Sequence, residues 1–272
     1  CSVLSAEHVP VVQASSRTDR GVHALDQRVV LRLPEGLRIS FSSQEGRELD
    51  TDGHTSREMA ATDLVSALNC ALPSDIVVFG CSPAGHRRLA IEAKEYWYFL
   101  QLAPREADSP RPTPSWRVKD VSPYVWFVHE HLDIERMREA LVHLVGKHDF
   151  RGLAIDTSQK NPERTIFSAS LEELPLSADL FALPGQDAAV DWPAADGPQC
   201  RLFAVKVVGD GFLRHMVRKI VGTLKLVGKG QLGPDDMRAI LARELEGGPA
   251  APARGLCLRK VWTSTSPRDL NS

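Results

Sequence analysis

The stretch Glu95-Tyr-Trp-Tyr-Phe-Leu-Gln-Leu102 decides the fold that the sequence predicts. It is dominated by aromatic residues and leucine, and aromatic residues are enriched in strands. Successive side chains of a strand point to opposite faces, so Tyr96 and Tyr98 share one face and Trp97 takes the other. The segment therefore predicts a strand. Two tyrosines at alternate positions of a strand are also typical of an ordinary hydrophobic core.

Strands and helices mix along the rest of the chain without strict alternation. Segments rich in β-forming residues predict strands at residues 25–33, 75–80, 165–171, 201–208 and 256–263. Apolar residues at helical spacing predict helices at residues 57–72, 133–146, 212–227 and from 233 onward. Polar or Pro-rich stretches predict loop insertions at residues 38–56 and 174–199. This order favours an α+β fold with a mainly antiparallel sheet over a doubly wound parallel one.

A Pro-rich, charged stretch before residue 123 indicates a division of the chain. Such a composition is typical of a linker, which we place at about residues 106–123. The prediction is an N-terminal half at residues 1–105, which holds the acidic motif described below, and a C-terminal half at residues 124–272 with a basic helix.

The composition is that of an ordinary globular chain of 272 residues, with 43% hydrophobic and 25% charged residues. No stretch approaches 18 consecutive apolar residues, so we expect no membrane span. The five cysteines are scattered and form no CxxC pair, which argues against a zinc site or a disulfide scaffold and favours a reducing compartment. The net charge of −2 is weak evidence against nucleic-acid binding, but residues 201–230 hold seven basic residues and one acid.

A second informative stretch, Ser16-Arg-Thr-Asp-Arg-Gly-Val-His-Ala24, presents one carboxylate between two arginines. Arg17 and Arg20 favour the ionised form of Asp19. Gly21 allows a tight turn with positive φ that would expose its neighbours. These residues suit a carboxylate that acts as nucleophile or base on a rigid loop. They also suit a polar turn whose aspartate caps backbone amides.

A third stretch, residues 211–224, reads Gly-Phe-Leu-Arg-His-Met-Val-Arg-Lys-Ile-Val-Gly-Thr-Leu. Its apolar residues follow helical spacing, while Arg214, Arg218 and Lys225 fall at intervals of four and seven and predict a basic helix face. A solvated helix face with ordinary basic residues and a local positive surface are both compatible with this pattern. The histidines lack metal-ligand spacing, so His215, like His23, is expected from spacing alone to be a hydrogen-bonded structural residue. Phosphate-loop, HExxH and GxSxG motifs are absent from the sequence.

The motif Arg17-Thr-Asp-x-Gly-Val-His-Ala24 is similar to the signature of the TruA-type tRNA pseudouridine synthases. Further stretches resemble that family in the same order: Lys94-Glu-Tyr-Trp-Tyr98, Gly146-Lys-His-Asp-Phe150 with Arg164-Thr-Ile166, residues 211–224, and Ala253-Arg-Gly-Leu-Cys-Leu258. The resemblance covers nearly the full chain. It implies a pseudouridine-synthase-like mixed, mainly antiparallel sheet of two halves flanked by helices. The chain departs from the family at Ala90-Ile91, where Ser-Ala is usual, and at Leu153, where Phe is usual.

The resemblance also implies roles for single residues. Asp19 would be the catalytic residue, with Arg218 as its ion-pair partner. Tyr96 would pack against the target base, Arg17 would help to displace that base from the stack, and Leu256 would line the pocket. Contacts to RNA would come from basic residues and a histidine in or near these motifs: Arg20, His23, Arg88 in the segment before Lys94, Arg214, Lys219 and Lys225.

The implied reaction isomerises specific uridines in tRNA to pseudouridine, with no cofactor and no metal. The base must leave its stack, which an arginine and an aromatic residue would assist. Asp19 would attack the ribose or the base, and the sequence leaves both open. The implied partner is tRNA, and a homodimer is a further expectation. A strand and a helix normally precede the Asp motif in this family, so we expect these elements to be missing from a chain that begins at Cys1.

Two other classes of function compete with this interpretation. A non-catalytic RNA-binding or RNA-folding protein on the same fold is compatible with the missing N-terminal elements and the Ala90-Ile91 departure. Intact Asp19, Tyr96 and Arg218 argue against it, since a pure binder need not keep all three. A carboxylate-dependent hydrolase would need a second acid paired with Asp19, and no motif supplies one.

Overall fold

The computed structural model describes residues 11–32, 37–40, 57–83, 89–102, 123–155, 161–175 and 201–264. The chain divides into two compact units. The smaller unit comprises Cys1–Ser15 and Arg28–Ala90, and the larger unit comprises Ser16–Gln27 and Ile91–Ser272. The segment that holds Asp19 therefore belongs to the larger unit, although residues of the smaller unit flank it in sequence.

The described residues form eleven strands and four α-helices. The strands are β1 (Val11–Ala14), β2 (His23–Ala24), β3 (Val29–Arg32), β4 (Leu37–Ser40), β5 (Arg57–Ala60), β6 (Ile91–Leu102), β7 (Trp126–Val128), β8 (Gly146–Asp149), β9 (Glu163–Leu174), β10 (Arg201–Gly209) and β11 (Leu256–Thr263). The helices are α1 (Ala61–Ala71), α2 (Ile134–Val142), α3 (Met216–Gly228) and α4 (Asp236–Leu241).

In the smaller unit, the described residues form two strand pairs and α1. Strands β1 and β3 pair antiparallel, and β4 pairs parallel with β5. The loop predicted from residue 38 is thus partly wrong, because its first residues lie in β4. The helix predicted at residues 57–72 begins later than expected, because β5 precedes α1.

The buried strand predicted at residues 75–80 is wrong. Its backbone is irregular, and Ile76 and Phe79 are exposed. The side-chain amide of Asn69 donates to the carbonyl of Val78 and accepts from its N–H, both at 2.7 Å. These two bonds satisfy backbone groups that a strand would otherwise pair with a neighbour.

One seven-stranded sheet organises the larger unit. Strand β6 lies in the middle, with β10 along one edge and with β11 and β7 along the other. The order continues from β10 through β9 to β8, and from β11 to β2. The β2–β11 and β6–β7 pairs are parallel and the others antiparallel, so the predicted mixed, mainly antiparallel sheet is confirmed.

The sequence located the four long strands of this unit, while the short strands β2, β7 and β8 were not predicted. The strand predicted at residues 256–263 matches β11, and those predicted at 165–171 and 201–208 lie within the longer β9 and β10. Along β6 the side chains alternate as predicted. Tyr96 and Tyr98 join the larger apolar cluster of the sheet with α2 and α3, whereas Phe99 joins a smaller cluster on the opposite face.

Helices α2 and α3 pack together over the larger cluster. Asp133 caps α2 by accepting a hydrogen bond from the Arg136 N–H, as its position predicts. The helix predicted from residue 212 is wrong at its start, because α3 begins at Met216. His215 adopts a left-handed φ of 61°, which interrupts helical geometry just before that point. Arg214 therefore lies outside the helix instead of on the face predicted for it.

Several predictions fall outside the described residues. They include the linker at about residues 106–123 and nearly all of the insertion at 174–199. The division into residues 1–105 and 124–272 therefore stays a prediction. Among the helices that are described, none is long and apolar enough to cross a membrane.

Candidate active site

The loop that presents Asp19 is held by hydrogen bonds at its turn and at its end. The Val22 N–H donates to the Asp19 carbonyl at 3.0 Å, and Gly21 has a φ of 82°, a left-handed value that glycine adopts without strain. The chain then enters β2, which pairs with β11, and the Leu25 N–H donates to the carbonyl of Leu258 at 2.8 Å. The loop is therefore anchored to the sheet only a few residues after Asp19.

The Asp19 carboxylate lies against the first turn of α3. Nη1 of Arg218 donates to Asp19 Oδ2 at 3.3 Å, across 199 residues of sequence. The side chains are 29% exposed for Asp19 and 14% exposed for Arg218. An ion pair so shielded from water is weakened less by salt than a surface pair.

Arg218 is fixed by a second acceptor as well as by the acid. Its Nε donates to the Ala251 carbonyl at 2.7 Å, and the Ala251 N–H donates to the Arg218 carbonyl at 2.9 Å. Helix α3 comes very close to this segment. A Cβ added at Gly222 would lie 1.7 Å from the Pro249 carbonyl oxygen, so only glycine fits there. The guanidinium is thus oriented before any substrate arrives.

Tyr96 connects the central strand to the acidic loop. Its side chain is buried, its hydroxyl lies 2.8 Å from Oγ of Ser16, and its ring meets Phe212 edge-on at 5.0 Å. Burial raises the pKa of Tyr96, opposed by the Ser16 hydrogen bond and reinforced by the charge of Asp19. The phenol therefore stays neutral beside the carboxylate.

Leu256 lies at the start of β11, where it is buried opposite Tyr98 in the strand register. The Tyr98 hydroxyl donates to the Pro252 carbonyl at 2.7 Å, and burial raises the pKa of this phenol too. These contacts hold the segment between α4 and β11 against the sheet. The same segment supplies Ala251, the backbone partner of Arg218.

His215 is the residue that sequence reasoning missed. Its Nε2 lies 2.9 Å from Asp19 Oδ2, closer than Nη1 of Arg218, and its side chain is 17% exposed. We expected a structural histidine because its spacing fits no metal site. The available signal was its position three residues before Arg218 in the same motif, a spacing at which two side chains of a helix share one side.

The other basic residues fall into two groups. Arg17, Arg20 and Arg214 are exposed and Lys219 is half-buried, and none of these four side chains forms an ion pair with a described residue. Lys225 instead pairs with Glu130 at 2.7 Å and lies 5.1 Å from the centre of the Trp126 ring. The predicted residue Arg88 lies outside the described residues.

His23 belongs to the acidic motif but does not lie at the carboxylate. Its ring meets Tyr124 edge-on at 4.5 Å. Burial lowers the pKa of His23, and a hydrogen bond to the backbone of Pro123 opposes the shift. Its contacts fix the end of the loop.

The side chains brought together are thus Asp19, Arg218, Tyr96 and His215. Two donors meet one carboxylate oxygen, beside a buried aromatic face. In the part of the chain that is described, no three His, Cys, Asp or Glu side chains converge to hold a metal ion. A carboxylate held in this way can act as a nucleophile or a base.

Comparisons with known proteins identify relatives of this chain. Residues 140–262 match a family model described as tRNA pseudouridine synthase, a range that includes His215 and Arg218. A protein named tRNA pseudouridine synthase A from Shouchella clausii is 33% identical over 259 residues, which are 93% of this chain and 77% of that protein. A protein of the same name from Moorella thermoacetica is 32% identical over 267 residues, 95% of this chain and 83% of its own length.

Proposed function

This chain belongs to the tRNA pseudouridine synthase family, and we propose that it isomerises specific uridines of tRNA to pseudouridine with Asp19 as the nucleophile. The family membership supports the reaction and its tRNA substrate. The observation that supports the role of Asp19 is its contact with Arg218 at 3.3 Å, inside a site that also holds Tyr96.

Uridine and pseudouridine have the same atoms, so the chemistry exchanges one bond for another. The bond between ribose C1′ and uracil N1 breaks, and a bond between C1′ and uracil C5 forms. An oxygen of Asp19 attacks either C1′, which expels the uracil with its bonding electrons, or C6 of the base. After attack at C1′, the freed uracil rotates and C5 bonds to C1′ as the carboxylate oxygen leaves C1′. After attack at C6, the C1′–N1 bond breaks in the adduct, the base rotates, C5 bonds to C1′, and the carboxylate oxygen then leaves C6. C5 then loses its proton and N1 gains one, so the balance requires no oxidant or reductant.

The side chains around Asp19 suit these steps. Arg218 balances the negative charge of the carboxylate and orients it, which suits a carboxylate nucleophile. Removing a base from an RNA stack costs a few kcal/mol, which contacts to the displaced base offset. Tyr96 would pack against that base, and exposed Arg17 would occupy the space it leaves. Buried Leu256 would complete the apolar wall of the pocket.

Binding of the folded RNA would rely on shape and phosphates. Arg20, Arg214 and Lys219 are accessible or partly so, and no acid among the described residues neutralises them. Lys225 is the weaker candidate, because Glu130 already pairs with it. Three further expectations stay predictions: RNA binding by Arg88 and His23, a homodimer, and the organisation of the sheet in two halves. The homodimer can be tested by measuring the molar mass in solution by light scattering.

The direct test uses the purified full chain and unmodified tRNA transcripts. Pseudouridines are mapped by chemical labelling and reverse transcription, in buffer with a chelator and without added cofactors. The proposal predicts pseudouridine at discrete uridines after incubation. Tight binding of the transcripts with every uridine unchanged, across a panel of tRNAs, would favour the non-catalytic RNA-binding alternative.

A further inference from the structure

We propose that His215 is a positioning residue which, with Arg218, holds Oδ2 of Asp19, so that Oδ1 is the oxygen that attacks the substrate. The inference rests on the proposed role of Asp19 as nucleophile. It adds a residue to the site and distinguishes the two oxygens of the carboxylate.

The contacts of the carboxylate are asymmetric. Nε2 of His215 lies 2.9 Å from Oδ2, and Nη1 of Arg218 lies 3.3 Å from the same atom. No described residue donates a hydrogen bond to Oδ1. A lone pair engaged by a donor is less available for attack, whereas Oδ1 keeps both of its lone pairs. Two donors on one oxygen also restrict rotation of the carboxylate, which favours a reactive orientation.

The hydrogen on the imidazole can be assigned from its surroundings. Carboxylate oxygens are acceptors, so Nε2 must carry the hydrogen that is shared with Oδ2. Nδ1 is buried and has no hydrogen-bond partner among the described residues. The ring is therefore held through its Nε2 hydrogen alone, and the geometry places a hydrogen on Nε2.

The backbone of His215 gives a second, independent reason. Its φ of 61° is left-handed, a conformation that is strained for a residue with a Cβ and that glycine or asparagine adopts more readily. Its carbonyl accepts the Lys219 N–H at 2.9 Å, which any residue could do. The backbone therefore gives no reason for a histidine at this position. The reason lies in its side chain, which contacts Asp19.

A series of three substitutions separates the side chain from the backbone. His215→Gly and His215→Asn relax the left-handed backbone but remove a donor at the Nε2 position, whereas His215→Gln keeps a donor at a similar reach. The readouts are the single-turnover rate of pseudouridine formation at saturating tRNA, the Kd for tRNA, and the thermal melting temperature.

The expected result is a loss of about 10- to 100-fold in single-turnover rate for His215→Gly and His215→Asn, with Kd within a few-fold and unchanged melting. His215→Gln should keep most of the rate. Full activity of His215→Gly, or a loss in His215→Gln as large as in His215→Gly, would overturn the inference. If both relaxed variants fail to fold, the His215→Gln rate and the spectrum described next decide the question.

The ring tautomer is measured on the unaltered protein by long-range proton–nitrogen NMR of its histidines. The inference requires the His215 hydrogen on Nε2, and a hydrogen on Nδ1 alone contradicts it. An Asp19→Ala variant, assayed in parallel, separates two kinds of failure. If Asp19→Ala keeps turnover, the proposed role of Asp19 as nucleophile fails, and the inference about His215 fails with it. If Asp19→Ala is inactive while His215→Gly is fully active, the inference about His215 fails alone.

Discussion

The two ends of α3 carry positive charge in different surroundings. Near its N-terminus, Arg218 donates to the Asp19 carboxylate and to the Ala251 carbonyl, and is 14% exposed. Near its C-terminus, Lys225 pairs with Glu130 at 2.7 Å, and Lys229 approaches the same carboxylate oxygen at 3.6 Å.

The difference shows that the geometry of the charged group decides its use. A guanidinium donates in fixed directions, so Arg218 binds a carboxylate and a backbone carbonyl at once and keeps both in place. An ammonium is a mobile point charge, and Lys225 is balanced by an acid on a neighbouring loop. The sequence pattern treated the two residues alike, as parts of one basic face.

The proposed difference between Arg218 and Lys225 would be wrong if the two side chains contributed equally to the reaction. Arg218→Ala is expected to lower the single-turnover rate by about 10² to 10³-fold, the usual effect of removing one fixed electrostatic contact to a reacting group. Lys225→Ala should lower it by less than about 3-fold, because its partner is Glu130 rather than Asp19. Both rates are measured at saturating tRNA. Equal losses in the two variants would contradict the distinction.

A substitution at Gly222, in the middle of α3, tests whether the close approach of the helix to Pro249 stabilises the protein. Gly222→Ala forces a methyl group into the Pro249 carbonyl, which lies two residues before the backbone partner of Arg218. We expect a loss of about 3 kcal/mol in the free energy of unfolding, measured by urea titration. Gly230→Ala is a suitable control for added bulk, since its Cβ would meet no atom within 4 Å, although its φ of 73° adds some strain. Equal stability of the Gly222→Ala variant and the parent protein would show that this close approach is not required.

The salt dependence of tRNA binding distinguishes the basic residues near the start of α3 from Lys225 near its end. Arg214→Ala and Lys219→Ala should each reduce the slope of log affinity against log salt by about 1, as expected for a lost phosphate contact. Lys225→Ala should change the slope less, because Glu130 already neutralises it. Fluorescence anisotropy with labelled tRNA at several salt concentrations gives these slopes. A larger change for Lys225→Ala than for Arg214→Ala would reverse the assignment.

The smallest effect is expected at the Glu130 end of the helix. The hydrogen bond from Lys225 is the main cause that lowers the pKa of Glu130 below its ordinary value of 4.5. The stability from this lowered pKa is present above pH 4.5 and is lost as the pH falls through the folded-state value. Glu130→Gln should therefore cost about 0.5 kcal/mol at pH 7, a figure that allows for solvent screening at a half-exposed pair. Urea titrations at pH 7 and near pH 4 should show the difference shrinking, and a constant difference would contradict this cause.

Much of the larger unit was predictable because its signals are local. The aromatic residues of β6, the period of α3 and the cap at Asp133 each specify one element without reference to the rest of the chain. The failures came from contacts between distant or irregular segments. The Asn69 amide replaced a strand at residues 75–80, and the left-handed turn at His215 shortened α3. Neither contact leaves a periodic pattern in the sequence.

The features of the candidate site also fall into those that the sequence predicted and those that it did not. The motifs identified Asp19, Tyr96 and Arg218 individually, and the resemblance to a family suggested that two of them pair. The contact between His215 and Asp19 was signalled only by the spacing of His215 from Arg218, because the direction of the His215 side chain depends on a backbone angle. The role of Ala251 was hidden, since a backbone carbonyl is present at every residue.

The most direct test of the central claim is the single-turnover rate of Asp19→Ala on bound tRNA, measured beside its Kd. The account predicts a rate at least about 10³-fold below that of the unaltered protein, because the nucleophile is gone, while Kd stays within a few-fold. Pseudouridine formation by Asp19→Ala at a rate close to that of the unaltered protein would contradict the assignment of Asp19 as the nucleophile.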